Sequence, residues 1–490
     1  MLKYFILTGL AILLSVSCLF AQREITLAEV RQLALENNRS LGVARAHGEA
    51  AAALRKVSFS QFLPGLDFAA HYQQMNKPFN LLSQDMFLPV IPYNTIDFGT
   101  GTVNPLPMLN PDAGVLAFHP DGRPIMDEEG NFVFRNYAWI PSDAMQIGQK
   151  NNILMNLAVS QPLFTGGKIK AQYQAAVHME SLARYGAQLT ESDVLFEVES
   201  LYWKMLSLQE KIKLTDEYKA MVQALLDDLE GYYQEGIIHR TEVLQAKVAL
   251  NEARLDALRA RNGFHRASMA LCLATGLPLT TSLKVVEEPV VPGGEFLLDE
   301  LWELGAGSRP ELAMAEKQVD IAAALERVVR GGYFPDIALS AGYLAVNPNP
   351  YNGFEKEFGM DWTVGVTLVM PVFHWGERRN MVNAARLERK VQELKLEDAR
   401  EMIRLDISNA WYGYLEMLQV QQVKSLSVQQ AEENLRLSGD LFEVGRINAT
   451  DLLKAQVLWH EARTELIDAQ SQLRTSYRAL EKATGTIRNP

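Results

Sequence analysis

Few side chains in this 490-residue chain are spaced for chemistry. Eight histidines are scattered, none in a His-x-x-x-His pair or beside Glu at the spacing a zinc site needs. TGGK, Thr165 to Lys168, has the outline of a phosphate loop, but Pro162 replaces the upstream Gly and Ile169 the following Ser or Thr. The corresponding Phe373-His374-Trp375-Gly376 lacks the Lys altogether, so both stretches read as strand-to-helix turns. No Gly-x-Ser-x-Gly occurs. The many carboxylates fall in helical patterns, where a solvated face is their ordinary role. No catalytic constellation, cofactor cradle or metal-ligand set is expected.

The pattern that does stand out occurs twice. YQEGIIHRTEVLQAK, Tyr233 to Lys247, and FEVGRINATDLLKAQ, Phe442 to Gln456, share an aromatic residue, a Gly three places on, and a Thr-acid-x-Leu group. Gly236/Gly445, Thr241/Thr450, Leu244/Leu453 and Ala246/Ala455 all stand 209 residues apart. A Gly tolerates the left-handed backbone that ends a helix. An acid soon after it, Glu242 or Asp451, suits the positive start of the next helix. Lys454 stands three residues beyond Asp451, within reach of an i, i+3 ion pair.

The elements that position these kinks show the same duplication. The offset of 209 also relates Pro162 to Pro371, Phe164 to Phe373, and ALCLATG at Ala270 to ALEKATG at Ala479. An offset of 271 relates Leu41, Ala44, Pro64 and Tyr72 to Leu312, Ala315, Pro335 and Tyr343. The offsets differ by 62 residues, so the first copy carries an insertion over 73–150; it holds nine of the twenty prolines and reads as a folded loop. Proline is absent from Leu163 to Leu277 and from Val372 to Asn489, which predicts long helices broken only at the kinks. Val194, Val198, Leu201, Met205, Leu208 and Ile212 alternate by four and three, the spacing of a coiled-coil seam. A first leg of about 65 residues would reach roughly 100 Å at 1.5 Å per residue.

Between the helices, four stretches alternate apolar with polar or small residues. Phe68 and Tyr72, Met155 and Leu157, Leu339 and Tyr343, and Val364, Val366 and Leu368 each fall on the apolar face of their stretch. Such alternation fits strands with lipid on one side and water on the other, and equally a soluble sandwich. Each copy reads helix, strand, strand, bent helix: 22–276, a linker at 277–296, 297–485 and a tail at 486–490. Four strands cannot close a barrel, and open edges cannot face lipid, so a membrane barrel must be shared among chains.

Residues 1–21 read as a secretory leader with cleavage after Ala21, the alternative being lipidation at Cys18. Its removal leaves Cys272 as the remaining cysteine, so no intrachain disulfide is expected. The net charge of −12 becomes −13 without Lys3, which argues against a nucleic-acid partner. Past the leader no apolar run of helical span length occurs. An exported chain with long helical hairpins could also be a periplasmic coiled-coil adaptor, although that class has no need of four amphipathic strands.

Taken in order, ITLAEVRQLALENN, FLPGLDF, QPLFTGGK, the first Gly kink, YFPDIAL, MPVFHWGER and the second kink resemble the TolC-like outer-membrane efflux protein family across the mature chain. The resemblance implies a homotrimer in the outer membrane, with a twelve-stranded barrel and a long periplasmic α-barrel of coiled coils. It implies a passive duct of a tripartite efflux or type I secretion system, set in outer-membrane lipid and docked to a periplasmic adaptor and an inner-membrane pump of RND, ABC or MFS type. Gly236, Glu242, Gly445, Asp451 and Lys454 would then lie at the periplasmic gate or adaptor contact, with Asp451 forming a ring of three carboxylates. Lys454 departs from the family's more acidic pattern and would lower the charge of that ring.

Overall fold

Within the two proline-free runs the chain forms long helices broken at the two bends. A computed structural model describes residues 23–77, 79–147, 149–286 and 296–488. The expected leader, with Cys18, lies outside the described residues. The helices are α1 (Leu27–Asn37), α2 (Arg39–Ser60), α3 (Lys168–Gln234), α4 (Arg240–Thr275), α5 (Leu298–Ser308), α6 (Pro310–Gly331), α7 (Glu377–Glu443) and α8 (Ala449–Ala483). The four long strands are β1 (Gly65–Gln74), β2 (Asn151–Phe164), β3 (Asp336–Asn347) and β4 (Gly359–Val369). α1 and α2 begin 271 residues before α5 and α6, and α3 and α4 begin 209 before α7 and α8. α3 and α7 are each 67 residues long, about 100 Å at 1.5 Å per residue.

The chain divides into a helical unit, up to Ser60 with Gly167–Tyr333 and from Val372 onward, and a strand unit, Gln61–Gly166 with Phe334–Pro371. In the helical unit α3 and α8 pack on each other, and each packs on its own hairpin partner, α4 or α7. α3 also packs on α2 and α6. This crowding corrects the expected seam. Val194, Val198 and Met205 are fully buried, but Leu201, Leu208 and Ile212 are only half-buried. Leu195, Glu199, Tyr202, Trp203 and Leu206 are buried as well, because α3 has neighbours on several sides and a single stripe cannot serve them all.

Thr26 starts α1 with a capping box: its hydroxyl accepts from Glu29 N at 3.2 Å and Glu29 Oε2 accepts from Thr26 N at 3.0 Å. Glu199 of α3, wholly buried, meets Arg31 Nε at 2.7 Å and Arg478 Nε at 2.5 Å, which ties α1, α3 and α8 together. Burial pushes its carboxyl above the usual range, and the two guanidiniums pull against that rise. The stretch 277–296, expected as a linker, is partly built into the fold. Leu283–Val285 pairs in parallel with Arg23–Ile25, and Ile25, Leu283 and Val285 sit in the same core as Tyr202 and Leu271. Ile487, in the expected tail, is also buried.

In the strand unit the sheet is an antiparallel meander in the order β1-β2-β3-β4. β1 passes to β2 through the insertion and β3 to β4 through 348–358, so both connections leave the same end of the sheet. At the other end every strand leads to a helix of the chain. TGGK and its counterpart are strand-to-helix turns, leading into α3 at Lys168 and α7 at Glu377.

Candidate functional site

Two places in the molecule hold the residues singled out in the sequence. The first is the pair of bends. Gly236 and Gly445 take φ of 74° and 68°, the left-handed region. Gly236 N donates to Tyr233 O at 3.0 Å and Ile237 N to Tyr232 O at 2.9 Å, a Schellman ending. The second copy repeats it: Gly445 N donates to Phe442 O at 2.9 Å and Arg446 N to Leu441 O at 2.8 Å. Asn448, which the sequence reading did not single out, caps α8 by accepting from Asp451 N at 2.9 Å. α4 restarts from His239 without a side-chain cap. Glu242 and Asp451 both stand in the first turns of their helices.

The structure brings the two bends together. Val243, Ala246 and Leu250 of α4 share one apolar core with Ala449, Leu452 and Leu453 of α8, closed by Leu226 and Leu229 of α3. Thr450 Oγ1 and Gln245 Oε1 lie 2.7 Å apart across the junction, the hydroxyl donating. Lys454 Nζ reaches Asp451 Oδ1 at 3.2 Å, both side chains exposed. Farther up the same helices, His460 of α8 stacks on Tyr218 of α3 at 4.3 Å with the rings 20° apart. They line a groove of about 730 Å³ with Glu252 and Asp256 of α4 and Glu461 of α8. Burial holds His460 below the ordinary imidazole value, against the pull of Asp256 and Glu461. Burial, then those acids with Glu252, pushes the Tyr218 phenol up to about 12.

The second place is the sheet, whose register decides which residues share a face. Phe68 pairs with Leu157, Leu157 with Tyr343, and Tyr343 with Trp362. Val159, on the same face as Leu157, pairs with Leu66 and with Ala341, which faces Val364; Leu339 faces Val366 and Ile337 faces Leu368. Tyr72 and Met155 fall in the same set, opposite Ile153 and Ala70. All nine candidate residues therefore line one face, and Asp67, His71, Asn156, Ser160, Ser340, Thr363 and Thr367 line the other. Phe68 is 66% exposed, Val364 63% and Val366 65%, so among the described residues no layer covers the apolar face there. Among the described residues β1 and β4 each pair on one side only, leaving two open edges.

A helix-rich chain with an uncovered amphipathic sheet narrows the choice, and comparison with known proteins decides it. A family model described as outer membrane efflux protein matches residues 133–277 and 303–486. The chain belongs to the outer membrane efflux protein family. It is an outer-membrane channel of the efflux kind, in a family of channels rather than enzymes, and the adaptor alternative is set aside. Protein CyaE of Bordetella pertussis is 26% identical over 355 residues, 69% of this chain and 72% of CyaE. The pyoverdine export outer membrane protein OpmQ of Pseudomonas aeruginosa is 26% identical over 328 residues, 64% of each chain. The fold is that of the Campylobacter jejuni CmeC outer membrane channel, with a TM-score of 0.69, 18% identity, and coverage of 94% of this chain and 85% of CmeC.

Proposed function

We propose that three copies of this efflux-family chain form one passive duct, each giving four strands to a shared barrel and its long helices to a periplasmic tube. The single-layer sheet carries this reading: one apolar face is uncovered, and both edges have unpaired backbone groups. In a bilayer those groups must be paired, and four strands cannot curl far enough to pair with themselves. The helices support the same reading. Leu244, Val248, Leu255 and Leu258 of α4 are exposed, as are Val391, Leu394, Met402, Leu405, Tyr412, Val423 and Leu426 of α7. Both sets follow steps of three and four or their sums, and both lie on the helices that flank the α3–α8 pair. They are coiled-coil seams without a partner helix in one chain.

The duct does no chemistry. An inner-membrane pump supplies the energy, a periplasmic adaptor joins the two, and the bends at Gly236 and Gly445 form the end that opens. Pyoverdine export, named for one relative, makes pyoverdine one candidate cargo. Detergent extraction of the outer membrane followed by native mass measurement tests the assembly. Trimers of the full chain are expected; monomers and dimers alone, under conditions that keep other barrels intact, would overturn it.

A further inference from the structure

The insertion of the first copy lies largely ahead of the family match, which begins at residue 133. Its two arms prolong the β1–β2 hairpin. Gln74 pairs with Asn151, Met75 N donates to Lys150 O at 2.7 Å, Met86–Pro89 pairs with Ile140–Tyr137, and Val90 N donates to Asn136 O at 3.0 Å. The sum of paired residue numbers changes by only one along this length, from Gln74/Asn151 to Met86/Ile140. By register the 86–90 arm follows β1 on the same side of the hairpin, across a break formed by bends at 81–85 and a turn at Ser142–Met145.

A two-stranded ribbon is marginal in water unless something covers it, and this one is apolar outside. Phe87 and Trp139 face each other across the ladder and are 61% and 60% exposed. Trp139 Nε1 donates to Asp85 at 2.9 Å, and Asp85 also accepts from Ser142 N at 2.9 Å, so the indole is held in place. Tyr93 and Phe98 stack at 4.8 Å, both well exposed. Charge is segregated within the insertion. Residues 86–111 and 136–142 hold one charged side chain, Asp97, whereas 112–135 hold five acids against two arginines. Met108, Val115 and Leu116 make a small core of their own with Ile91, Phe118, Phe132 and Phe134, and none of the four exposed rings belongs to it.

We propose that the exposed aromatic arms of the insertion are a contact between copies of the chain. At this contact the outer edge of each ribbon meets the neighbouring protomer, and the three insertions together narrow the outer mouth of the duct. The inference rests on the trimer reading and adds to it. The edge that must pair with a neighbour in the barrel is the edge the ribbon follows by register, and exposed rings whose nearby charges are only Asp85, bound to the Trp139 indole, and Asp97 suit a like surface better than an acidic or basic partner. The acidic hairpin at 119–131 is left facing water.

The test uses the full chain in intact cells, where buried Cys272 is a silent background. Phe87→Cys is expected to join protomers through a short bis-maleimide, and Glu128→Cys, in the acidic hairpin, is not. Replacing 76–149 by an Asn-Gly turn is expected to leave trimers intact and to raise single-channel conductance and sensitivity to large antibiotics. Trimers in which Phe87→Cys stays unlinked, or links to another protein, or a shortened chain of unchanged conductance, would overturn the inference and leave the trimer standing. Absence of trimers in the unaltered chain would instead remove the reading beneath it.

Discussion

Asp451 and Lys454 lie one turn apart on an exposed helix start, and their 3.2 Å pairing bears on how a ring of three such acids would act. An exposed i, i+3 pair is worth only about 0.2–0.5 kcal/mol, so Lys454 tempers the ring without abolishing it. In planar bilayers a trivalent cation is expected to block the unaltered channel weakly and Lys454→Ala at lower concentration, with block lost in Asp451→Ala. Equal block of all three would place Asp451 away from the constriction. His460 gives a second residue-scale expectation. Its folded pKa lies below the ordinary 6.5, so below that pH the unfolded chain binds the extra proton and stability falls as pH falls. Thermal unfolding should show the extracted protein losing more stability between pH 7 and pH 5.5 than His460→Phe, which keeps a ring on Tyr218.

At the scale of elements, strand and helix carry separate tests. Leu157 and Val366 lie on the exposed apolar face of β2 and β4. If those sites lie near mid-bilayer, an Arg at either costs about 2–4 kcal/mol and should cut the outer-membrane yield. Normal yield of both variants would reverse the assignment of that face to lipid. On α7, Leu405→Glu and Leu426→Glu place charge in the unpartnered seam. They should weaken the proposed trimer on native gels while helical content by circular dichroism is kept, because both side chains are exposed within their own chain.

Across the whole molecule, the two connections at one end of the sheet differ greatly in length. The insertion spans about 76 residues and 348–358 eleven, while every strand at the other end leads to a helix. Outer-membrane barrels place long loops outside the cell. An epitope tag near Gly122 should therefore be reached by antibody on intact cells. A tag seen only after permeabilisation would put the insertion on the periplasmic side.

The duplication, the four strands, the long helices and both bends were legible in the sequence, since each rests on local rules. Glycine alone among common residues accepts φ near +70° at no cost, proline is excluded from helix interiors, and the pleat alternates side chains strictly. The shared face of Phe68, Leu157, Tyr343 and Val366 followed from that alternation, and only the register made it one surface. The sequence could not show which apolar stripe of a long helix is buried. The α3 seam proved partial and the open seams of α4 and α7 went unread, because heptad spacing states that a helix has neighbours but not how many or in which chain. The linker's short strand, the Asn448 cap, the Gln245–Thr450 link and the Tyr218–His460 stack were decided by tertiary structure alone. Each except the Asn448 cap joins residues hundreds of positions apart, and the cap depends on the rotamer of one side chain.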